Sequence, residues 1–238
     1  MTRKAVVFGA GGIGAALVHA LAASGAYDAI HAGQRDPCAD WPAAVVPFAF
    51  DLAQEDTIAR AAQAIGGPVD LVIVASGVLS DPARDIAPEK SFQAIDAGAM
   101  AHVLAINTIG PALIAKHMLP LLPRDRPSVF AALSARVGSL GDNRLGGWHS
   151  YRASKVALNM LLANFAIEMA RSHPQAVIVG LHPGTVATRL SEPFRGSVRA
   201  GQLFAPERAA EQLLGVIERL GPQDSGGVFA WDGQRLAW

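Results

Sequence analysis

Cysteine is all but absent from this chain: its one example, Cys38, rules out an intrachain disulfide and a multi-cysteine metal site, which fits a reducing compartment. Net charge is missing too. Twenty Lys plus Arg face twenty Asp plus Glu, so no basic field invites nucleic acid. Aromatic residues make up 6% and are not interleaved with basic ones, which removes a stacking platform for RNA. No cationic leader precedes a long apolar segment, and no apolar run reaches about 18 uninterrupted residues, so a cytoplasmic location without a membrane partner is expected. What is present is apolar material: 51% hydrophobic residues supply the core of one sizeable domain over 1–238, with no internal repeat or flexible linker.

Strand and helix signals alternate along the chain. Short apolar runs at 5–8, 27–32, 45–50, 69–74, 128–133, 176–181 and 228–231 predict strands, and the β-branched run at 69–74 reads as one buried on both faces. Helical patterns fall at about 13–23, 55–65, 96–118, 150–170 and 206–220. The stretch 138–147, with four glycines plus Asp142 and Asn143, reads as an irregular loop, and 185–203 shows no regular period. Right-handed crossovers would assemble such an order into an α/β fold: a doubly wound parallel sheet between two helical layers, a three-layer sandwich. Its ligand crevice would lie at the carboxyl edge of the strands.

Chemistry-bearing residues fall at that edge. Gly9, Gly11 and Gly14 give the G-x-G-x-x-G spacing between a strand and a helix, which suits either a pyrophosphate or a plain tight helix entry. Beyond the second strand stand Gly33, Gln34 and Arg35. Arg35 could meet a ribose 2′-phosphate, favouring NADP(H), whereas Asp36 would favour NAD(H) if the strand ended later. Asp51 and Leu52 would reach adenine or cap the next helix. Tyr151 and Lys155 are one helical turn apart, and a neighbouring cation favours a phenolate and proton exchange with a carbonyl or alcohol oxygen. His149 and His182 lack a third ligand, so no metal site is expected, and Lys116 and His117 read as helix-surface groups.

The segment Tyr151-Arg152-Ala153-Ser154-Lys155 resembles the short-chain dehydrogenase/reductase family, together with Ser134, Asn107 in Ile106-Asn107-Thr108-Ile109-Gly110, and Pro183-Gly184 ahead of Thr188. The resemblance covers essentially the whole chain and implies a Rossmann-like fold. It implies Tyr151 as general acid/base, Ser134 orienting the substrate oxygen, Lys155 binding the nicotinamide ribose and lowering the tyrosine pKa, and Asn107 holding a water linked to the lysine. The implied cofactor contacts are Gly9, Gly11, Gly12, Ile13, Gly14, Arg35, Asp51, Leu52, Ala75, Ser76, Gly77, Asn107, Tyr151, Lys155, Pro183, Gly184, Val186 and Thr188. A mobile substrate lid is implied around 189–204, with Phe194, Val198, Leu203 and Phe204 as apolar contacts and Arg189, Arg195 and Arg199 either attracting an anion or forming an outer face. A homodimer or homotetramer through helices near 105–120 and 151–170 is implied as well.

Two departures stand out: the glycine opening is one residue short and lacks the family's threonine, and the family's Asn-Ala-Gly is Ala75-Ser76-Gly77 here. The blocks Ser134 to Ser139, Gly146 to Tyr151 and Asp224 to Gly233 look like the C-factor-like branch of the family. The expected activity is therefore hydride transfer between NADP(H), or NAD(H), and a carbonyl or secondary alcohol. The alternative is a dinucleotide-binding signalling or regulatory protein with little turnover.

Overall fold

The computed structural model describes residues 2–37, 40–197 and 201–238; Cys38, Val198 and Arg199 lie outside it, as do the side chains of Phe194 and Arg195. Strands β1 (Lys4–Phe8), β2 (Ala29–Gln34), β3 (Val45–Ala49), β4 (Leu71–Val74), β5 (Ser128–Leu133) and β6 (Ala176–His182) alternate with helices α1 (Ile13–Ser24), α2 (Glu55–Ile65), α3 (Ala97–Leu104), α4 (Gly110–Met118) and α5 (His149–Met169). A small pair, β7 (Thr185–Val186) and β8 (Leu203–Phe204), brackets the expected lid, and α6 (Pro206–Ile217) and β9 (Val228–Ala230) close the chain.

The main sheet runs β3-β2-β1-β4-β5-β6-β9 and is parallel throughout. Strand order reverses between β1 and β4, which opens a crevice at their carboxyl ends. Alternate side chains feed two cores. On one face Val7, Ile73 and Val179 meet Leu17 of α1 and Leu213 of α6; on the other Phe8, Val72 and Ile178 meet Ile58 of α2, Ile114 of α4 and Leu158 of α5. Each such side chain, taken fully out of water, contributes about 1.5–3 kcal/mol. All four residues of β4 are buried, as its β-branched run requires. Local signals fix the helix ends: Gly25 at φ 63° stops α1, Glu55 and Asp56 open α2, and Pro206 opens α6.

The helix expected over 96–118 is interrupted by a π-helical turn, Ala105–Ile109, between α3 and α4. Pro111 explains it: proline has no N–H to return to the carbonyl four residues earlier, that of Asn107, so the register slips. Gly110 completes the fit, because a Cβ there would stand 2.6 Å from Leu52 Cδ2. The apolar stretch Ala97–Leu121 is by length and composition enough to cross a membrane, with mean hydropathy 1.5. In the fold it packs against α2 and α5. Lys116 and His117 pin α4 to α2 through Glu55 Oε1, at 2.6 and 3.0 Å, rather than serving any site.

Candidate active site

The glycine turn after β1 is built by exclusion. Gly9 sits at φ 90°, and its N–H and that of Ala10 both donate to Gly33 O at 3.0 and 2.9 Å. A Cβ at Gly9 would lie 2.3 Å from Ser76 Oγ, and one at Gly14 would lie 2.1 Å from Gly9 O. Neither position admits a side chain. Over Gly11, by contrast, no atom lies within 4 Å of a Cβ position, so the turn is open on the crevice side. Gly12 caps α1 without any side-chain hydrogen bond, and although Gly14 N donates to Gly11 O at 2.8 Å, the positive end of the helix dipole still favours an anionic ligand there. The turn therefore fits a dinucleotide pyrophosphate despite being one residue short. A Cβ at Gly12 would come 3.1 Å from Thr188 Cγ2, which brings the segment after β6 against the glycine turn.

The other expected cofactor positions divide. β2 ends at Gln34, so Arg35 is the first residue past the strand, exposed at the rim, and Gln34 Nε2 ties that rim to Ala10 O. Asp51 folds into its own turn: Oδ1 accepts from Ala53 N at 2.9 Å, and Thr57 Oγ1 donates to Asp51 O at 3.1 Å. Its carboxylate does not cap α2, whose N-cap is Gln54 with no side-chain cap hydrogen bond. Leu52 packs on Gly110. Ala75 N donates to Phe8 O at 2.8 Å, holding Ala75, Ser76 and Gly77 beside the glycine turn. Gly184, at φ 75°, leaves space filled by Phe204 and Trp231, whose rings meet edge to face at 4.8 Å. Ile13 begins α1 and Val186 lies in β7.

Asn107, Ser134, Tyr151 and Lys155 converge although they come from three segments, the π turn, the end of β5 and α5. Asn107, fully buried on the π turn, grips Val78: Val78 N donates to its Oδ1 at 2.8 Å, and its Nδ2 donates to Val78 O at 2.8 Å and to Ser154 Oγ at 3.1 Å. Ser154 Oγ in turn donates to Tyr151 O. Lys155 Nζ donates to Leu133 O at 2.8 Å and stands 5.8 Å from the centre of the Tyr151 ring. A Cβ on Gly77 would lie 3.4 Å from Asn107 Oδ1 and 3.7 Å from Lys155 Nζ, so the loop after β4 is glycine where the cluster needs room. Trp148, at φ 52°, sets its ring edge-on to Tyr151 at 6.3 Å.

One participant has no signature in the sequence. Ser134 Oγ donates to Asn159 Oδ1 at 2.6 Å, and Asn159 Nδ2 donates to Gly138 O at 3.2 Å. Asn159 follows Lys155 by one turn and Tyr151 by two, so the three lie on one stripe of α5, and only that spacing could have suggested it. With its proton committed to Asn159, the serine hydroxyl must rotate to donate to a substrate oxygen.

Burial sets the electrostatics. Tyr151, 9% exposed, is pushed up to about 12 by desolvation, and Lys155, 3% exposed, is pushed down to about 8 for the same reason. In the chain by itself desolvation is what moves the Tyr151 phenol, and it moves it upward, while the Lys155 ammonium donates to Leu133 O. The arrangement keeps the phenol a firm proton holder at neutral pH, the form that a reduction consumes. His182 is held near 4 chiefly by burial, with the Arg136 charge adding, and its buried Nδ1 has no partner; it is a neutral wall residue. Among the described residues no group of three or more His, Cys, Asp or Glu could hold a metal.

A glycine turn at the strand-order switch, facing a buried tyrosine and lysine on one helix, defines a dinucleotide-dependent oxidoreductase site. Residues 3–198 match the short chain dehydrogenase family. The chain is 32% identical over 195 residues to the 1-hydroxy-2-glutathionyl-2-methyl-3-butene dehydrogenase of Rhodococcus sp. (strain AD45), covering 70% of this chain and 83% of that one. It is 33% identical over 179 residues to the C-signal protein of Myxococcus xanthus, covering 72% and 94%. The solved structure of NADPH-bound carbonyl reductase from chicken fatty liver superposes with a TM-score of 0.85 at 24% identity over 100% of both chains. The chain belongs to the short-chain dehydrogenase family, the C-signal protein among its relatives.

Proposed function

We propose that the chain reduces a carbonyl to a secondary alcohol with NADP(H) as preferred partner, Tyr151 delivering the proton. The observation that supports this most directly is the buried Tyr151, with Lys155 one turn along α5 and Asn107 and Ser134 joined to the same helix by hydrogen bonds. When bound, the dinucleotide supplies the hydride. Gly9, Gly11, Gly12, Ile13 and Gly14 would hold its pyrophosphate, Ala75, Ser76 and Gly77 its adenosine side, and Pro183, Gly184, Val186 and Thr188 its nicotinamide end. Tyr151 gives its proton to the carbonyl oxygen, and Ser134, once rotated from Asn159, donates to the same oxygen as negative charge develops there. Lys155 keeps a cation below the phenol and within reach of a ribose hydroxyl. Asn107 holds Val78 and Ser154 so that the loop after β4 and the first turns of α5 stay in register.

The preference for NADP(H) rests on Arg35, exposed immediately after β2, and accords with the NADPH-bound carbonyl reductase and the NADP-bound Burkholderia multivorans enzyme among the similar structures. The segment 189–204, rooted by the β7–β8 pair, would serve as the lid. Exposed Ile109, Met160 and Ile167 on the outer helix faces support a homodimer or homotetramer, and a cytoplasmic site of action is the accompanying assignment. The likeness to the C-signal protein favours a second reading, a dinucleotide-binding signalling protein with little turnover.

The deciding experiment compares NADPH and NADH binding to the purified chain and follows NADPH consumption across a panel of aldehydes, ketones and quinones. Tighter NADPH binding with carbonyl-dependent consumption is the expected result. Binding without turnover on any carbonyl would move the assignment to the signalling reading, and no binding of either nucleotide would overturn both.

A further inference from the structure

We propose that Glu89 is a positioning residue for the reaction, clamping the start of α5 so that the Tyr151 phenol keeps its place; this rests on the carbonyl-reductase reading above. Glu89 lies in the loop after β4, only 7% exposed, and no role has been given to it so far. Its carboxylate receives the main-chain N–H of Ser150 at 3.3 and 3.2 Å through its two oxygens, and the Ser150 hydroxyl also donates to Oε1. Its main-chain carbonyl takes the N–H of Trp148. One residue therefore holds both sides of the step into the helix, immediately before Tyr151.

That step needs an outside tether. Gly146, Gly147 and Trp148 are three successive left-handed residues, at φ 61°, 67° and 52°, so the chain turns sharply into α5 with no side-chain cap at Trp148. The amides of a helix's first turn have no partner within the helix, and a carboxylate satisfies them while meeting the positive end of the dipole. A second strap runs from Arg152, whose Nε donates to Gly147 O at 3.0 Å and Nη1 to Val137 O at 3.4 Å, so its guanidinium is spent on backbone rather than on Glu89. Lys90, beside Glu89, is exposed. Just as Asn107 ties Val78 to α5 from below, Glu89 ties the far end of the same loop to the residue preceding the phenol.

The test uses Glu89→Ala and Glu89→Gln in the full chain, with NADPH dissociation constants and kcat per bound NADPH on a carbonyl found in the panel. Removing the clamp is expected to lower kcat by about tenfold or more while NADPH affinity stays within about twofold, because a small misplacement of the proton donor affects chemistry and not cofactor capture. Glu89→Gln, which retains acceptors for Ser150, should recover kcat to within about threefold of the wild type. If Glu89→Ala does not fold, Ser150→Ala removes the hydroxyl limb alone, and a kcat lowered about threefold at unchanged NADPH affinity is expected. Wild-type kcat in Glu89→Ala (or in Ser150→Ala where that variant is needed), parallel losses of kcat and NADPH affinity, or no recovery in Glu89→Gln would overturn the inference. A Tyr151→Phe control separates the two readings: if it is inactive while Glu89→Ala is fully active, only the clamp is wrong, whereas an active Tyr151→Phe removes the mechanism itself.

Discussion

Asn107→Ala should cost the protein both stability and turnover, and the structure sets the scale. The side chain makes three hydrogen bonds, to Val78 N, Val78 O and Ser154 Oγ, at 2.8, 2.8 and 3.1 Å. Because Val78 is only half-buried, water can replace part of its loss, so the net value of about 1 kcal/mol per bond applies rather than the larger penalty for sealed polar groups. The sum is roughly 3 kcal/mol, a sizeable part of a stability of about 5–15 kcal/mol. For a chain of this length each kcal/mol moves Tm by about 2–4 °C, so thermal unfolding followed by circular dichroism should shift down by roughly 6–12 °C. The same variant frees the loop after β4 from α5, and kcat should fall along with Tm. A Tm within about 2 °C of the wild type would show that Asn107 is not the tie described here.

Other expectations follow from the same geometry. With Lys155 held near 8 and Tyr151 near 12, the lysine is a cation below about pH 8 and neutral above it, while the phenol keeps its proton throughout. The kcat/KM for NADPH, which reports the free enzyme, should therefore decline above about pH 8, and a profile flat to about pH 10 would contradict the lysine's assigned role. Arg35→Ala should weaken NADPH binding about fivefold at low salt, the value of about 1 kcal/mol expected of an exposed charge-assisted contact, and leave NADH nearly unchanged. Equal weakening of both nucleotides would remove Arg35 from phosphate recognition.

Much of this architecture could be read from residue order. The apolar run of β4, the acidic start of α2 and the proline opening α6 each mark their element by local physics, and α2 and β5 fall where periodicity puts them. Tyr151 and Lys155 were legible because one helix supplies both, so their spacing alone brings them together. Asn159 and Glu89 were not, since each acts on a residue that is remote in the chain: Ser134 for the first, Ser150 for the second. Nor could spacing show the direction of the pKa shifts. Sequence places a cation near a phenol, but only the fold shows that both are desolvated and that the ammonium is bonded to Leu133 O. Asp51 shows another limit of spacing: only the fold shows its carboxylate accepting from Ala53 N and Gln54 Nε2 within its own turn.

The measurement that bears most directly on the mechanism is single-turnover reduction by Tyr151→Phe preloaded with NADPH. General acid catalysis by the phenol predicts a rate lower by about 10²–10⁴ with NADPH affinity essentially that of the wild type. A variant that reduces the carbonyl at the wild-type rate would show that the proton comes from another group.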